Sequence, residues 1–560
     1  MTRSLLLAAA SALALAPSAR AQSPAEFLPV PQGQTPPRAS APETPPPPSP
    51  VQAAPGGFTL RGVRLTGATA LTEADLAPLW ADLIGRPVSA ETLEELATAI
   101  GAEYRARGYM LSQAALPAQD VADGVVTIAV VEGFIDRVAI SGGRPEQEAL
   151  AATRFAPVPA DRPLRLPTLE RAVLLSRDVL GGGVETVMEP SATTFGAADL
   201  TVAITPAPPT GFGTIDNRGS RLYGPWSFST GVTAYGLLGL NERLDLVAAG
   251  ALDGSLGYVQ GAFAAPLTAF SGTWADGAML EAEASYSNGE PDLSKSGAPD
   301  TQTLTTNETN LSLGVKVPFI RTRAQNLFGA LALDWQDSAN VTGFGADETT
   351  EDDRLLVLDA RLEWDRADRF GGVTLAEVGL RQGLDTSGSF VGGGPSYGAD
   401  DFTLASLHLS RLQRLGASDW SLWLEGIGQY AFDILPNAER FSLGDSTIGR
   451  GFAPGNTTGD SGYGGRLELR RQVPAQALGR FAEGVELYAY GDYGQAYDRD
   501  GDRDGQGWET LASAGLGARI DVRPWLTLTP EIARQLDGVP TDTRDPDHET
   551  RFYISLVARF

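Results

Sequence analysis

From Gly211 to the C-terminal Phe560 apolar and polar residues alternate with a period of two, which is the signature of strands with two unlike faces. Leu311, Leu313, Val315, Val317 and Phe319 fall on one face, with Ser312, Gly314 and Lys316 on the other. Leu356, Leu358, Ala360, Leu362 and Trp364 likewise oppose Asp359, Arg361, Glu363 and Asp365. A face that charged needs water, so the interior of a soluble sandwich does not suit it. A barrel whose outside meets lipid and whose lumen is wet does. The one long apolar run, Leu5 to Leu15, lies at the N-terminus behind Arg3 and ahead of Ala19-Arg20-Ala21. That arrangement predicts a secretory leader over residues 1–21, with the mature chain starting at Gln22 and no helical membrane span in it.

Strands are expected near Gly211, Trp226, Arg243, Gly257, Gly277, Asn310, Leu327, Leu355, Val373, Phe402, Trp420, Tyr463, Val485, Leu511, Trp525 and Arg551. About sixteen antiparallel strands are an even number, as single-chain bacterial barrels require. The connectors alternate in length. Ser287–Thr306, Gln336–Asp353, Gly383–Asp401, Pro436–Ser461 and Asp498–Glu509 are long, whereas Leu237–Glu242, Pro318–Ala324, Ala367–Gly371 and Arg523–Pro524 are short. Outer-membrane barrels sort their loops this way, with short turns on the periplasmic side. The expected barrel covers residues 208–560.

Upstream, prolines are dense from residue 22 to 56, and Pro45 to Pro48 are consecutive, so this stretch reads as an extended tether. At Phe58 the composition changes. Strand-like Phe58–Leu65, a capped start at Thr72-Glu-Ala-Asp75, and a helix from about Ser89 to Arg107 with Leu93, Leu96, Ile100 and Tyr104 on one face precede two further strands. The order β-α-α-β-β then repeats from Asp136. Two α+β units, at residues 57–134 and 135–207, are therefore expected ahead of the all-β barrel.

Composition removes several chemistries. Cysteine is absent, and the histidines are only His408 and His548, so a disulfide framework, a thiolate nucleophile and a zinc site are not expected. Net charge is 43 − 69 = −26, which argues against a nucleic-acid partner, because phosphate binding needs basic patches. No phosphate-cradling Gly-Lys-Ser/Thr and no credible catalytic triad occurs, so neither a cofactor nor an enzymatic activity is expected. Asp500, Asp502, Asp504 and Gly505 imitate calcium-loop spacing, but Leu511 stands where the bidentate Glu belongs, and a solvated acidic loop is the better reading.

Between the expected eleventh and twelfth strands lies the Gly-punctuated stretch Arg440-Phe-Ser-Leu-Gly-Asp-Ser-Thr-Ile-Gly-Arg-Gly-Phe452, and on the thirteenth strand stands Tyr490-Gly-Asp-Tyr-Gly494. Together these resemble the Arg-Gly-Tyr/Phe loop and Phe-x-Asp-x-Gly strand of two-partner-secretion transporters of the haemolysin secretion/activation type. That family is a branch of the POTRA-bearing outer-membrane barrel superfamily. The resemblance runs from Phe58 to Phe560 and implies that the α+β units are periplasmic POTRA domains. It further implies that the sixth external loop folds into the lumen, where Arg450, Gly451 and Phe452 form the tip. By the same resemblance Arg450 meets Asp492 on a wall motif with Tyr490 and Gly494, and Glu468 is a second acidic candidate. Gly449 departs from the family, which commonly has a Val-like residue there.

Phe560 ends a strand whose Phe552, Ile554, Leu556 and Ala558 share its face, similar to the C-terminal signal read by the barrel-assembly machinery. The implied partners are a secreted exoprotein, outer-membrane lipid and that machinery during biogenesis. A barrel-insertion factor of the same superfamily, or a passive porin or adhesin, are the alternative readings.

Overall fold

The computed structural model describes residues 58–560 except 122, 297–298, 300–301, 345–346, 387, 393–397, 445, 475–481, 500–506 and 540–548. The expected leader, the Pro-rich tether and the calcium-like Asp500, Asp502 and Asp504 lie outside the described residues. The described chain divides after Ala207 into an α/β unit and a barrel.

The α/β unit contains two modules of the same topology. In the first, Gly62–Thr66 runs parallel to the central strand Val125–Val131, and Gln113–Ala115 pairs antiparallel on its other side. The helix Ala90–Ala106, capped by the Ser89 hydroxyl, buries Leu93, Leu96, Ile100 and Tyr104, as its three- and four-residue spacing predicts. The Thr72 capping box forms with Asp75, but the helix it opens stops after Glu73–Leu76 and continues only as 3-10 turns. Pro78 has no N–H for the next helical bond. In the second module Phe134–Ser141 runs parallel to Ala197–Thr205, Gly183–Pro190 pairs antiparallel, and the helices Pro145–Phe155 and Leu166–Leu180 cover the sheet.

Sixteen antiparallel strands close the barrel, and all sixteen expected positions fall on one or within two residues of it. The first, Thr210–Asp216, pairs with the sixteenth, Thr550–Arg559, from Phe212↔Arg559 to Asp216↔Ser555. Phe560 and Gly211 then exchange backbone hydrogen bonds of 2.9 and 2.7 Å. The apolar series Leu311, Leu313 and Phe319 points outward and is exposed, as a lipid-facing row requires.

The short turns are found where expected, but one long connector is not a loop. Strands seven, Gln325–Phe344, and eight, Asp347–Ala367, run far beyond the lipid band and pair through Ser338↔Asp353, Asn340↔Glu351 and Thr342↔Thr349. In that stretch polar and β-branched residues occupy both faces, so the apolar alternation vanishes while the ladder bonds persist. The expected loop Gln336–Asp353 is thus a hairpin of β-branched and polar residues. A two-residue strand, Phe390–Val391, rides on its Asp353 and Arg354.

The sixth loop and its lumen wall

The eleventh strand, Trp420–Ala431, and the twelfth, Ser461–Gln472, flank a loop that is folded on itself. Phe441–Leu443 and Thr457–Gly459 pair antiparallel as a small hairpin, from Phe441↔Gly459 to Leu443↔Thr457. Above it the tip closes with Gly444 N–H to Ile448 O at 3.0 Å, Phe452 N–H to Gly449 O at 2.8 Å and Gly455 N–H to Gly444 O at 3.0 Å. Phe441, Leu443, Ile448 and Phe452 pack with Ala496 and Leu511 of the wall into one buried apolar cluster.

Glycines in the wall make room for that cluster. A Cβ at Gly494 would sit 2.7 Å from Leu443 Cδ1, and one at Gly464 would meet Ile448 at 3.0 Å. Gly494 of the wall motif is therefore a socket for the hairpin. Gly449 adopts φ +86°, and a Cβ there would lie 2.8 Å from Leu511 Cδ1. This accounts for the departure at Gly449: the backbone turns at that residue, and fully buried Ile448 supplies the apolar packing. The sharp turn of the tip falls at Gly449 and not at Gly451. Gly451 instead allows close approach, since its Cβ would be 3.0 Å from Ser513 Cβ.

Alternation on the thirteenth strand, Gly484–Tyr497, places Tyr488, Tyr490 and Asp492 inward and buried. The ion pair expected between Arg450 and Asp492 is corrected by the structure. Asp492 Oδ2 accepts the backbone N–H of Arg450 at 3.3 Å, while Oδ1 accepts the Ser513 hydroxyl at 2.7 Å and the Ser513 N–H at 3.1 Å. The Arg450 guanidinium reaches past it to Glu468 at 3.0 Å and Glu531 at 2.8 Å.

The cause is side-chain length across the ladder. Asp492 stands opposite Ser513, level with the loop backbone, whereas Glu468 pairs with Tyr490 and Glu531 with Gly517, which faces Tyr488. A short carboxylate holds the backbone, and an extended arginine spans to the longer ones, level with positions two and four residues back along the strand. Its guanidinium lies 4.5 Å from the Tyr490 ring centre and 5.6 Å from that of Tyr488, a cation–π arrangement over the wall.

Each of these carboxylates is shared. Glu468, promoted from second candidate to principal partner, also binds Arg470 at 2.7 Å and Arg519 at 2.8 Å. Glu531, unforeseen from the sequence, binds Arg218 at 3.0 Å and accepts from the hydroxyls of Tyr488 at 2.6 Å and Tyr490 at 3.2 Å. Gln535 Nε2 donates to Gly451 O at 2.9 Å, and Gly451 N–H donates to Ser513 Oγ at 3.1 Å, so strands thirteen to fifteen grip the tip from the backbone as well.

The loop is held from a second side. Glu439, in the short turn Asn437–Glu439, forms a forked pair with Arg381 of the ninth strand at 2.8 and 2.9 Å. Arg381 also binds Asp359 at 2.7 Å and Asp334 at 2.9 Å. Arg440 pairs with Asp498 at 2.7 Å, so the residue that begins the acidic stretch is buried against the loop instead of solvated.

A closed sixteen-stranded barrel carrying N-terminal α/β modules, with a polar loop folded into its lumen, defines an outer-membrane barrel protein of the POTRA-bearing class. Residues 197–520 match the family model described as haemolysin secretion/activation protein ShlB/FhaC/HecB, and residues 58–133 match the POTRA domain of ShlB type. The chain belongs to the haemolysin secretion/activation family. It is 25% identical over 202 residues to the outer membrane transporter CdiB of Dickeya dadantii, a match covering 33% of each chain. It is 26% identical over 180 residues to the heme/hemopexin transporter protein HuxB of Haemophilus influenzae, covering 31% of each. These matches thus span about a third of the curated relatives' length. In fold it is similar to CdiB from Escherichia coli, with a TM-score of 0.69, 20% identity and coverage of 93% of this chain and 94% of that one. CdiB from Acinetobacter baumannii follows with a TM-score of 0.61 and 18% identity, covering 91% of each chain.

Proposed function

We propose that this protein moves an unfolded partner exoprotein, of haemolysin or adhesin type, from the periplasm to the cell surface by two-partner secretion. The observation that carries this reading is the sixth loop, which fills part of the lumen yet is held there by ion pairs and side-chain sockets that can be released without unpairing a barrel strand. Residues 57–134 and 135–207 act as two POTRA domains that receive the substrate. Each offers an edge strand, Gln113–Ala115 or Gly183–Pro190, to which an extended chain can add through backbone bonds. Arg450, Gly451 and Phe452 form the latch on the loop, and Tyr490, Asp492, Gly494, Glu468 and Glu531 form its seat. The work of this site is mechanical and electrostatic, not catalytic. Folding of the emerging substrate, worth roughly 5–15 kcal/mol per domain, supplies a drive without any nucleotide.

In this reading residues 1–21 are a cleaved leader, residues 22–56 a tether, and Phe560 the mark by which the assembly machinery inserts the barrel. Deleting Phe58 to Pro206 tests it. The truncated protein should still show heat-modifiable barrel mobility, because the strands and Phe560 are intact, while surface-exposed substrate disappears. Undiminished secretion by the truncated protein would remove the receptor role and favour a passive pore.

A further inference from the structure

The connection between the second barrel strand, Ser227–Tyr235, and the third, Arg243–Ala251, reads Gly236-Leu-Leu-Gly-Leu-Asn-Glu242. It lies at the periplasmic end, because the chain enters the first strand from the POTRA side. Leu237, Leu238 and Leu240 are 65%, 63% and 57% exposed. The side chain that fixes them is polar: Glu242, fully buried, accepts the N–H of Leu238 at 2.7 Å and of Leu240 at 3.0 Å, and its own carbonyl accepts the Gly236 N–H at 2.7 Å. A floppy turn would fold its leucines against one another, but this one is stapled with them pointing out.

Two other periplasmic turns carry charges, one of them beside the exposed Phe370. Thr322–Ala324 is flanked by Arg321 and contains Arg323, and the turn 368–371 contains Asp368 and Arg369. The barrel wall is also shortest here. The first three strands contain 7, 9 and 9 residues, at or below the roughly 9–11 that span a bilayer as tilted strands. The three leucines continue the exposed outward row of Val232 and Leu246 past the strand ends. The next periplasmic turn along the wall adds Phe270 and Trp274, the latter stacked on Phe319 with ring centres 6.2 Å apart, and such aromatic residues favour headgroup depth.

We propose that Leu237, Leu238 and Leu240 form a lipid wedge, seated among the acyl chains of the periplasmic leaflet and extending a barrel wall that is otherwise too short. Continuity with the lipid-facing row selects acyl chains over protein as the occupant. The inference depends on the membrane placement of the barrel and not on what the barrel secretes.

The absence of native cysteine gives a clean test. Full-length Leu238→Cys and, as a second site, Leu240→Cys are labelled with an environment-sensitive NBD fluorophore. The labelled proteins are reconstituted into vesicles of dioleoyl phosphatidylethanolamine and phosphatidylglycerol, with heat-modifiable mobility confirming the fold. Ala417→Cys, in the exposed turn after the tenth strand, is the aqueous control. Blue-shifted emission at 238 and 240, quenched several-fold more by brominated acyl chains than by aqueous iodide, is expected, with the reverse at 417. Iodide access at 238 and 240 equal to that at 417 would overturn the proposal. Shielding from both quenchers that is lost when residues 58–206 are deleted would also overturn it, in favour of a protein contact.

Discussion

If the guanidinium of Arg450 is held by Glu468 and Glu531, while Asp492 holds only backbone, then double-mutant cycles must separate the two. Arg450→Ala removes pairs of 3.0 and 2.8 Å with carboxylates whose side chains are fully buried. Breaking a buried pair usually costs about 3–5 kcal/mol, because the remaining charge is stranded. Here neither partner is stranded, since Glu468 keeps Arg470 and Arg519, and Glu531 keeps Arg218 and two tyrosine hydroxyls. The loss should therefore be smaller, roughly 2–3 kcal/mol, and it should fall on loop release. At about 1.4 kcal/mol per tenfold, that is roughly a 30- to 150-fold rise in the released population. Hydrogen exchange at the Gly451 amide, bonded to Ser513 Oγ, reads this opening directly. Crossing Arg450→Ala with Glu531→Gln should give a coupling of about 1–3 kcal/mol, whereas crossing it with Asp492→Asn should be additive within about 0.5 kcal/mol, because the Arg450 N–H survives in alanine. A larger coupling to Asp492 than to Glu531 would refute the assignment of partners.

Arg381→Ala should loosen the other side of the loop by about 3 kcal/mol, since Glu439 loses its forked partner, although Asp359 retains Arg361 at 3.5 Å; protease access to residues 432–440 in intact cells checks it. Arg381→Lys should restore only part, as one ammonium cannot fork to Glu439 while reaching both aspartates. In the first POTRA module, burial raises the Glu132 carboxyl, but the N–H groups of Ala70 and Thr69 at 2.7 Å, the Thr69 hydroxyl and the Tyr104 hydroxyl at 2.8 Å outweigh it and hold the group below its ordinary value. A depressed folded value means stability that is complete above the unfolded value near about 4.3 and lost as pH falls through the folded one. Exchange protection of the helix Ala90–Ala106 in the full-length protein should follow that acid limb, and Glu132→Gln should abolish it at a cost of roughly 1–3 kcal/mol.

Period-two alternation carried most of the barrel, because a strand slipped by one residue would turn every lipid-facing side chain into the lumen. It fails where both faces are polar, and the hairpin of strands seven and eight beyond Ser338 reads as a loop for that reason. The motif pair located the loop and its seat but not the contact. Alternation states which face Asp492 occupies; it does not state which rung of a neighbouring strand lies within the reach of an arginine. Glu468 and Glu531 stand on strands separated from each other by two more, and the register that aligns them is a property of the closed ladder. A signal for Glu531 was present, since the inward series Thr527, Thr529, Glu531, Ala533 and Gln535 contains one carboxylate among small and neutral residues. Buried Arg381 carried none, because its partner Glu439 comes from a connector without periodicity.

Whether the loop must leave its seat for polypeptide to pass can be decided by a covalent lock. A Cβ at Gly451 would lie 3.0 Å from Ser513 Cβ, slightly closer than the roughly 3.5–4.5 Å of a disulfide, so a shift of several tenths of an ångström makes the pair bridgeable. Gly451 has no positive φ that a side chain would strain, and cysteine is otherwise absent, so Gly451→Cys with Ser513→Cys has no competing thiol. The bond replaces the 3.1 Å hydrogen bond from Gly451 N–H to Ser513 Oγ at the same point of contact, and the ion pairs of Arg450 beside it can stay formed. Barrel assembly should proceed, since no ladder bond is touched. Under oxidising conditions the tip cannot depart from the wall of the fourteenth strand, and secreted substrate should fall to background, returning when a reductant is added to the same cells. Each single cysteine variant controls for the lost hydroxyl or the added side chain. Wild-type secretion by the fully bridged protein would mean that the substrate passes a loop still seated on strands thirteen to fifteen. The Arg450 network would then be a fixed part of the wall, and any moving portion would have to lie on the side held by Arg381.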